Sequence, residues 1–400
     1  MLDARFGGAG RGVWSLIRIV VWTGVGLVLI GLLFPQPGPR LSANKYNAKI
    51  KDKSARIVTL DKNDPRGFRK TDDGRAFTIA WVGPSTLQNI SKTRYSFIPA
   101  DVRQRIPEID GRPVAVDIYF LSGARVMDLY SATQAALASD ADMIVLDLNP
   151  LWLFNDRAVQ AWENLNGPTF AVTAGRPSQW GLAATFYSPS DVVLGLVGER
   201  LPAIRDRFAY SAKLRSAIRV FNRLDVSDPP PEKEKPSQLD LVAQMQEPLE
   251  FWSQYRPTVT ASASVRDRQL AFLEQSDTSG GTLSDRVVGQ LLSSLANSGK
   301  PAYVYVPPLA PESMKDPAMS ATLSAIEKHL AQAAARHRSP LLEVHSESLA
   351  RVLPPVAFND LVHIADDRPM VTFLAGALCD QLLRTKTVAA CTPLPEEAAR

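Results

Sequence analysis

The chain has 400 residues, 45% hydrophobic and 22% charged, enough apolar material to bury one large domain of roughly 250–300 residues with attachments. Its net charge is only +4, and Lys and Arg are spread along the sequence rather than clustered with aromatics. That excludes the basic footprint of a nucleic-acid binder, so no nucleic-acid partner is expected.

The N-terminus carries the strongest global signal. Val13–Phe34, "VWSLIRIVVWTGVGLVLIGLLF", is apolar but for Ser15, Arg18 and Thr23, and as a helix it would span about 33 Å, the thickness of a bilayer core. The alternative is a cleaved signal peptide with Arg5 and Arg11 in its charged leader, but Leu41-Ser42-Ala43 makes a poor cleavage site. An uncleaved anchor over residues 1–35 is the preferred reading. Arg5, Arg11 and Arg18 precede or enter the span, whereas Arg40, Lys45, Lys49, Lys51 and Lys53 follow it, so the positive-inside count does not favour export. The single apolar span and its signal-anchor character nevertheless point to a soluble domain outside the cytoplasmic membrane.

Residues 36–75 are polar and hold several Pro and Lys, and they read as a linker. From residue 76 strands and helices alternate. "AFTIAWVG" (76–83), "RPVAVDIYFLSG" (112–123) and "DMIVLDLNP" (142–150) read as strands, with a helix over 131–141 between the last two. Later, a helix over 283–300 feeds a strand over 301–309, a helix over 318–338 feeds a strand over 340–346, and 368–386 is the closing helix. Such alternation with nearly continuous apolar strands predicts an α/β domain, a buried parallel sheet with helices on both faces. The domain is expected over 76–390 with a tail over 391–400. Between about 176 and 282 the apolar spacing turns helical and then gives way to the Pro-rich "SDPPPEKEKPS", which reads as a largely helical insertion with a polar loop. Cys379 and Cys391 lack metal-ligand spacing, so no metal is expected; in an oxidising compartment they would staple the last helix to the tail, and in the cytosol they would be ordinary thiols.

Parallel sheets place chemistry at the carboxyl ends of their strands. Gly83-Pro84-Ser85 follows the first strand, Ser122-Gly123 the second, Asn149 the third, and "FNDLVH" with Asp360 and His363 comes shortly after the last. Acyl transfer by a hydroxyl needs a base, usually His oriented by a carboxylate, and donors for the developing oxyanion. Ser85, His363 and Asp360 supply the first set. The N–H groups of Ser85 and Gly123 with the amide of Asn149 supply the second.

The block order "VGPSTL", "LSGARVMDL", "LDLNPLW", "FNDLVH" resembles that of the SGNH (GDSL-like) hydrolases, over most of 76–385. Within that superfamily the layout is most similar to membrane-anchored D-alanyl transfer proteins and polysaccharide O-acyltransferase relatives, which combine an anchor, a Gly-x-Ser nucleophile, a Pro-x-Trp after the central strand and a late Asp-x-x-His; Pro150-Leu151-Trp152 and "YVPPL" (305–309) sit where such features belong. The resemblance implies a three-layer α/β/α sandwich with a parallel, SGNH/flavodoxin-like sheet. It implies acyl transfer or acyl-ester hydrolysis outside the cytoplasm, on an envelope polysaccharide or acyl carrier, with a membrane-bound acyltransferase as partner and no cofactor.

Each residue also has a plainer reading. Ser85 would be a helix cap, Gly123 a turn glycine, Asn149 a turn residue before Pro150, and Asp360 and His363 structural loop residues. His345 is the rival base, while His329 and His337 are expected on a solvated helix face. Pro84 stands where the family has Asp, and Asn149-Pro150 replaces Gly-x-Asn-Asp. Both departures favour the alternative function: a non-catalytic scaffold of the same fold that binds a membrane acyltransferase or a glycan.

Overall fold

The structure is a computed structural model that describes residues 22, 54–58, 75–90, 95–120, 124–154, 273–274, 276–354, 358 and 361–395. The chain divides into two units, Met1–Arg40 with Thr173–Glu232, and Leu41–Val172 with Lys233–Arg400. Every described residue but Trp22 lies in the second unit.

The strands, in chain order, are β1 (Ala55–Ile57), β2 (Phe77–Gly83), β3 (Gln88–Ile90), β4 (Tyr95–Phe97), β5 (Glu108–Ile109), β6 (Arg112–Phe120), β7 (Met143–Asp147), β8 (Ala302–Val306) and β9 (Leu342–Ser348). The helices are α1 (Ile98–Arg105), α2 (Val126–Ala138), α3 (Pro150–Leu153), α4 (Leu283–Ala296), α5 (Pro311–Lys315), α6 (Pro317–Ala335) and α7 (Arg368–Arg384). The central sheet runs β1-β6-β2-β7-β8-β9, every neighbouring pair parallel, with β5 added antiparallel to β6; β3 and β4 form a separate hairpin. This is an α/β fold built on a mostly parallel sheet, as the alternation in the sequence predicts.

The apolar runs FTIAWVG, MIVLD and AYVYV are buried at every position, because helices cover both faces of a parallel sheet. Ile79, Trp81, Val116, Val145, Tyr303 and Tyr305 share one hydrophobic cluster with Ile98 and Val102 of α1 and Met370, Leu374 and Leu378 of α7. The alternate residues Ala80, Val82, Ile144, Leu146 and Val304 are buried too; α2 packs along β2 and β7, α6 along β9, and α4 lies between these two helices. The chain changes direction across the sheet between β2 and β7, since β6 lies on one side of β2 and β7, β8 and β9 follow on the other.

Strand positions agree with the sequence reading to within a few residues. The helix expected over 131–141 begins earlier, at Val126, because the Asp128 carboxylate accepts from Arg125 N at 3.0 Å and secures the first turn. Ala55–Ile57, placed in the linker by composition, forms the edge strand: Val116 N donates to Ser54 O and Val58 N to Ile118 O, each at 2.8 Å. The anchor segment Val13–Phe34 lies outside the described residues apart from Trp22, which is helical and 71% exposed. Among the described residues no helix is long and apolar enough to cross a membrane. The insertion over 176–282 also lies outside them, except 273–274 and 276–282.

The C-terminal end is tied down. Cys379 of α7 and Cys391 form a disulfide with Cα atoms 5.2 Å apart. Asp110 and Gly111, with φ of 50° and 72°, make the tight turn between β5 and β6, an Asp-Gly pair suited to that left-handed geometry. The Asp110 carboxylate accepts from Ala389 N at 2.8 Å and Ala390 N at 2.6 Å, and Leu394 N donates to Arg105 O at 2.7 Å. The first residues of the expected 391–400 tail are therefore part of the domain.

Candidate active site at the switch point of the sheet

β2 ends at Gly83, and past the Val82–Leu146 pair the residue of β7 beside it is Asp147. A Cβ on Gly83 would lie 2.7 Å from Leu87 Cγ and 2.9 Å from Asp147 Cβ, so only glycine lets the chain leave the strand here. Pro84 follows, and Ser85–Leu87 form a single 3-10 turn closed by Leu87 N donating to Pro84 O at 3.2 Å. The turn sorts its side chains: Thr86 and Leu87 are buried, while Ser85 is half-buried. The residue that caps the turn is Pro84, with no side-chain cap bond. Among the described residues the Ser85 hydroxyl has no hydrogen-bond partner, so the cap reading finds no bond to support it.

Beneath the turn lies a polar chain that sequence reasoning missed. Asp147 is 0% exposed. Its Oδ2 accepts from Thr86 Oγ1 at 2.9 Å and from the Tyr305 hydroxyl at 3.2 Å. Trp81 Nε1 donates to the Tyr305 oxygen at 3.3 Å, the two rings meeting edge to face at 6.3 Å. Asp147 Oδ1 is buried and has no partner among the described residues. Burial pushes the Asp147 carboxyl up to about 7, against the opposing hydrogen bonds from Thr86 and Tyr305. Burial also raises the Tyr305 phenol well above its ordinary value, and the nearby Asp147 charge adds to this. The signal in the sequence was an Asp closing an otherwise apolar strand, "MIVLD".

Asn149 caps α3, its Oδ1 accepting from Leu151 N at 3.0 Å, and is 2% exposed. The turn reading therefore holds for its oxygen; its Nδ2 donates to nothing among the described residues. Gly123 and Asp360 lie outside the described residues. His363 is half-buried in a loop bracketed by the antiparallel bridge between Phe358 and Ile364. Ala310 N donates to Leu361 O at 2.8 Å, which fastens this loop to the segment leaving β8. The Ser85 turn and the His363 loop thus both follow the carboxyl ends of parallel strands; no hydrogen bond joins Ser85 to His363.

The rival base does not reach this site. His345 sits within β9, paired with Tyr305 in register, its ring 5.5 Å from Phe373. β9 is separated from β2 by β7 and β8, roughly 14 Å at the usual strand spacing. Burial lowers the His345 pKa, opposed by the charges of Glu347, Glu343 and Glu327.

The expectation of a solvated His329 is corrected. It is buried, its Nε2 lies 2.6 Å from Asp285 Oδ1, and its ring meets Phe154 edge-on at 4.7 Å. With Ile326, Leu330 and Ala333 it forms the inward stripe of α6, the i, i+3, i+4, i+7 pattern of a core face. His337 is half-buried past the end of that helix.

Among the described residues no group of three His, Cys, Asp or Glu side chains comes together to hold a metal ion. No protein-family model matches the chain, and no curated protein matches it either. The site's meaning rests on its own geometry: open α/β sheets take ligands where strand order reverses, and Gly83–Thr86 and Asp147–Asn149 follow the two adjacent strands at that point.

Proposed function

We propose that the chain is a membrane-anchored, serine-dependent acyltransferase or acyl esterase of the SGNH type, a three-layer α/β/α sandwich acting on an envelope polysaccharide or acyl carrier. The observation that carries this reading is Ser85: a half-buried hydroxyl, with no hydrogen-bond partner among the described residues, at the strand-to-turn junction of the switch point. Ser85 Oγ attacks the acyl carbonyl as His363 takes its proton, with Asp360 holding the imidazole. The N–H groups of Ser85 and Gly123 and the Asn149 amide receive the oxyanion. The alcohol of the donor leaves with the proton from His363. An acceptor hydroxyl or water, deprotonated by His363, then takes the acyl group and frees Ser85. The Cys379–Cys391 disulfide supports placement outside the cytoplasm, where a membrane-bound acyltransferase would be the partner.

The scaffold reading draws on two observations: Pro84 in place of an acidic residue, and an Asn149 whose oxygen is committed to capping α3. A serine-directed fluorophosphonate separates the two readings. The enzyme is labelled, and Ser85→Ala or His363→Ala each abolishes labelling, because a hydroxyl without its base is a poor nucleophile. Asp360→Asn slows labelling at least about a hundredfold through loss of ring orientation. Absence of label on the wild type, or label that survives Ser85→Ala, leaves the scaffold. A reporter fused after residue 400 that is active only in the cytosol overturns the envelope assignment.

A further inference from the structure

The Asp147 network is absorbed by no step of that mechanism. We propose that Asp147 is a positioning residue of this site: as an uncharged acid it fixes, through Thr86, the junction that presents Ser85. The inference rests on the reading of Ser85 as nucleophile.

The geometry carries it. Both donors that reach the carboxyl, the Thr86 and Tyr305 hydroxyls, converge on Oδ2, and Oδ1 is buried with no partner among the described residues. An anionic oxygen left in that position would be far more costly than a carboxylic O–H. The acid form suits the arrangement: Oδ2 accepts twice as the carbonyl oxygen, and Oδ1 carries the proton. The Asp147 side chain also lies beside Gly83, where any Cβ would strike Asp147 Cβ. One side chain thus bonds the turn at Thr86, after Ser85, and leaves room only for glycine at Gly83, before it.

Among the described residues, Thr86 in the turn and Tyr305 on β8 bond to Asp147, and Trp81 on β2 bonds to Tyr305; Tyr305 is the titratable one among them, and the causes of the Asp147 shift are burial and these two hydroxyls. Burial, the largest cause, brings its titration up to about 7, within reach of an ordinary pH profile. Ionisation would place an uncompensated buried charge on the carboxyl that holds Thr86, one residue past Ser85, whose N–H is the donor a developing oxyanion needs. At that range, the charge would slow attack on the order of tenfold.

The test uses the full chain in detergent, with fluorophosphonate labelling rates from pH 5.5 to 9 and hydrogen exchange at the Leu87 amide, the donor that closes the turn. Wild-type labelling falls about tenfold above pH 7, and this alkaline limb disappears in Asp147→Asn. Thr86→Val slows labelling and speeds Leu87 exchange, and Thr86→Ser restores both. An alkaline limb that persists in Asp147→Asn, or a Thr86→Val protein with wild-type exchange, overturns the proposal. If the wild type takes no label at any pH, the nucleophile reading fails by itself. Exchange then decides the positioning role: fast in Thr86→Val and slow in Thr86→Ser supports it, and equal rates overturn it.

Discussion

The molecule treats two carboxyls in opposite ways. On the seam between α4 and α6, Asp285 meets His329 Nε2 at 2.6 Å and accepts from Gly281 N at 3.0 Å. Burial raises its pKa, yet the hydrogen bonds from His329 and Gly281 and the charges of His329 and Arg336 outweigh that and hold it below the usual carboxylate range. At the carboxyl end of β7, Asp147 has only hydroxyl donors, and burial wins. Desolvation acts at both positions; a cationic partner and a backbone donor decide the sign. The first arrangement joins two helices. The second is poised near neutrality beside the half-buried Ser85, the kind of perturbed group that concentrates at functional sites.

The largest expected effect follows from that sign. The Asp147 carboxyl titrates near 7 in the fold against 3.8 ordinarily, so between these values the folded state binds the extra proton. Its contribution to stability is complete below about pH 4, declines as pH rises, and is gone above about 7. The full difference corresponds to at most about 4 kcal/mol. Asp147→Asn, which cannot ionise, should match the wild type in urea unfolding at pH 4 and exceed it by up to that amount at pH 8. A wild-type stability that rises from pH 4 to 8 relative to Asp147→Asn would mean that Asp147 is paired like Asp285.

A smaller effect is expected from crowding the same junction. Gly83→Ala puts a methyl 2.7–2.9 Å from Leu87 and Asp147, and overpacking of this kind costs about 1–3 kcal/mol. If the junction is what presents Ser85, the substitution should lower fluorophosphonate labelling more than it lowers the unfolding midpoint. Gly289, in α4, has nothing within 4 Å of a Cβ position, so Gly289→Ala is the control and should be neutral or slightly stabilising.

The contrast also explains what the sequence displayed and what it hid. The sheet was legible because β2, β7 and β8 are uninterrupted apolar runs, and Ser85 was legible because it ends one of them at a Gly-Pro break. Short elements were not: Ala55–Ile57 carries three residues of pattern inside a polar stretch and is a strand only because β6 pairs with it. Asp147 was hidden because its partners, Thr86 and Tyr305, are 61 and 158 residues away. His329 was misread for the opposite reason: its helical stripe was present in the sequence, and the surrounding charge obscured it. Asn149 stood at the expected strand end, but its bond to Leu151 N is a local cap, which spacing alone does not distinguish from a catalytic amide.

The smallest expected effect lies at the other carboxyl, and it sharpens the comparison through its sign. Asp285→Asn keeps the shape and can still accept from Gly281 N, but it loses the charge that faces His329 Nε2. Because the Asp285 pKa is held below 3.8 in the fold, its contribution is present above about pH 4 and is lost as pH falls through the folded value. The substitution should therefore cost about 1–2 kcal/mol at pH 7, the low end for a hydrogen bond to a charged group because Asp285 is partly exposed, and progressively less as pH falls below about 4. Asp147→Asn stabilises at high pH, whereas Asp285→Asn destabilises there. Urea unfolding of the two variants and the wild type across one pH series measures both. If the two differences run with the same sign, the distinction between a paired acid and an unpaired, buried one fails, and with it the physical case for a neutral Asp147 beneath Ser85.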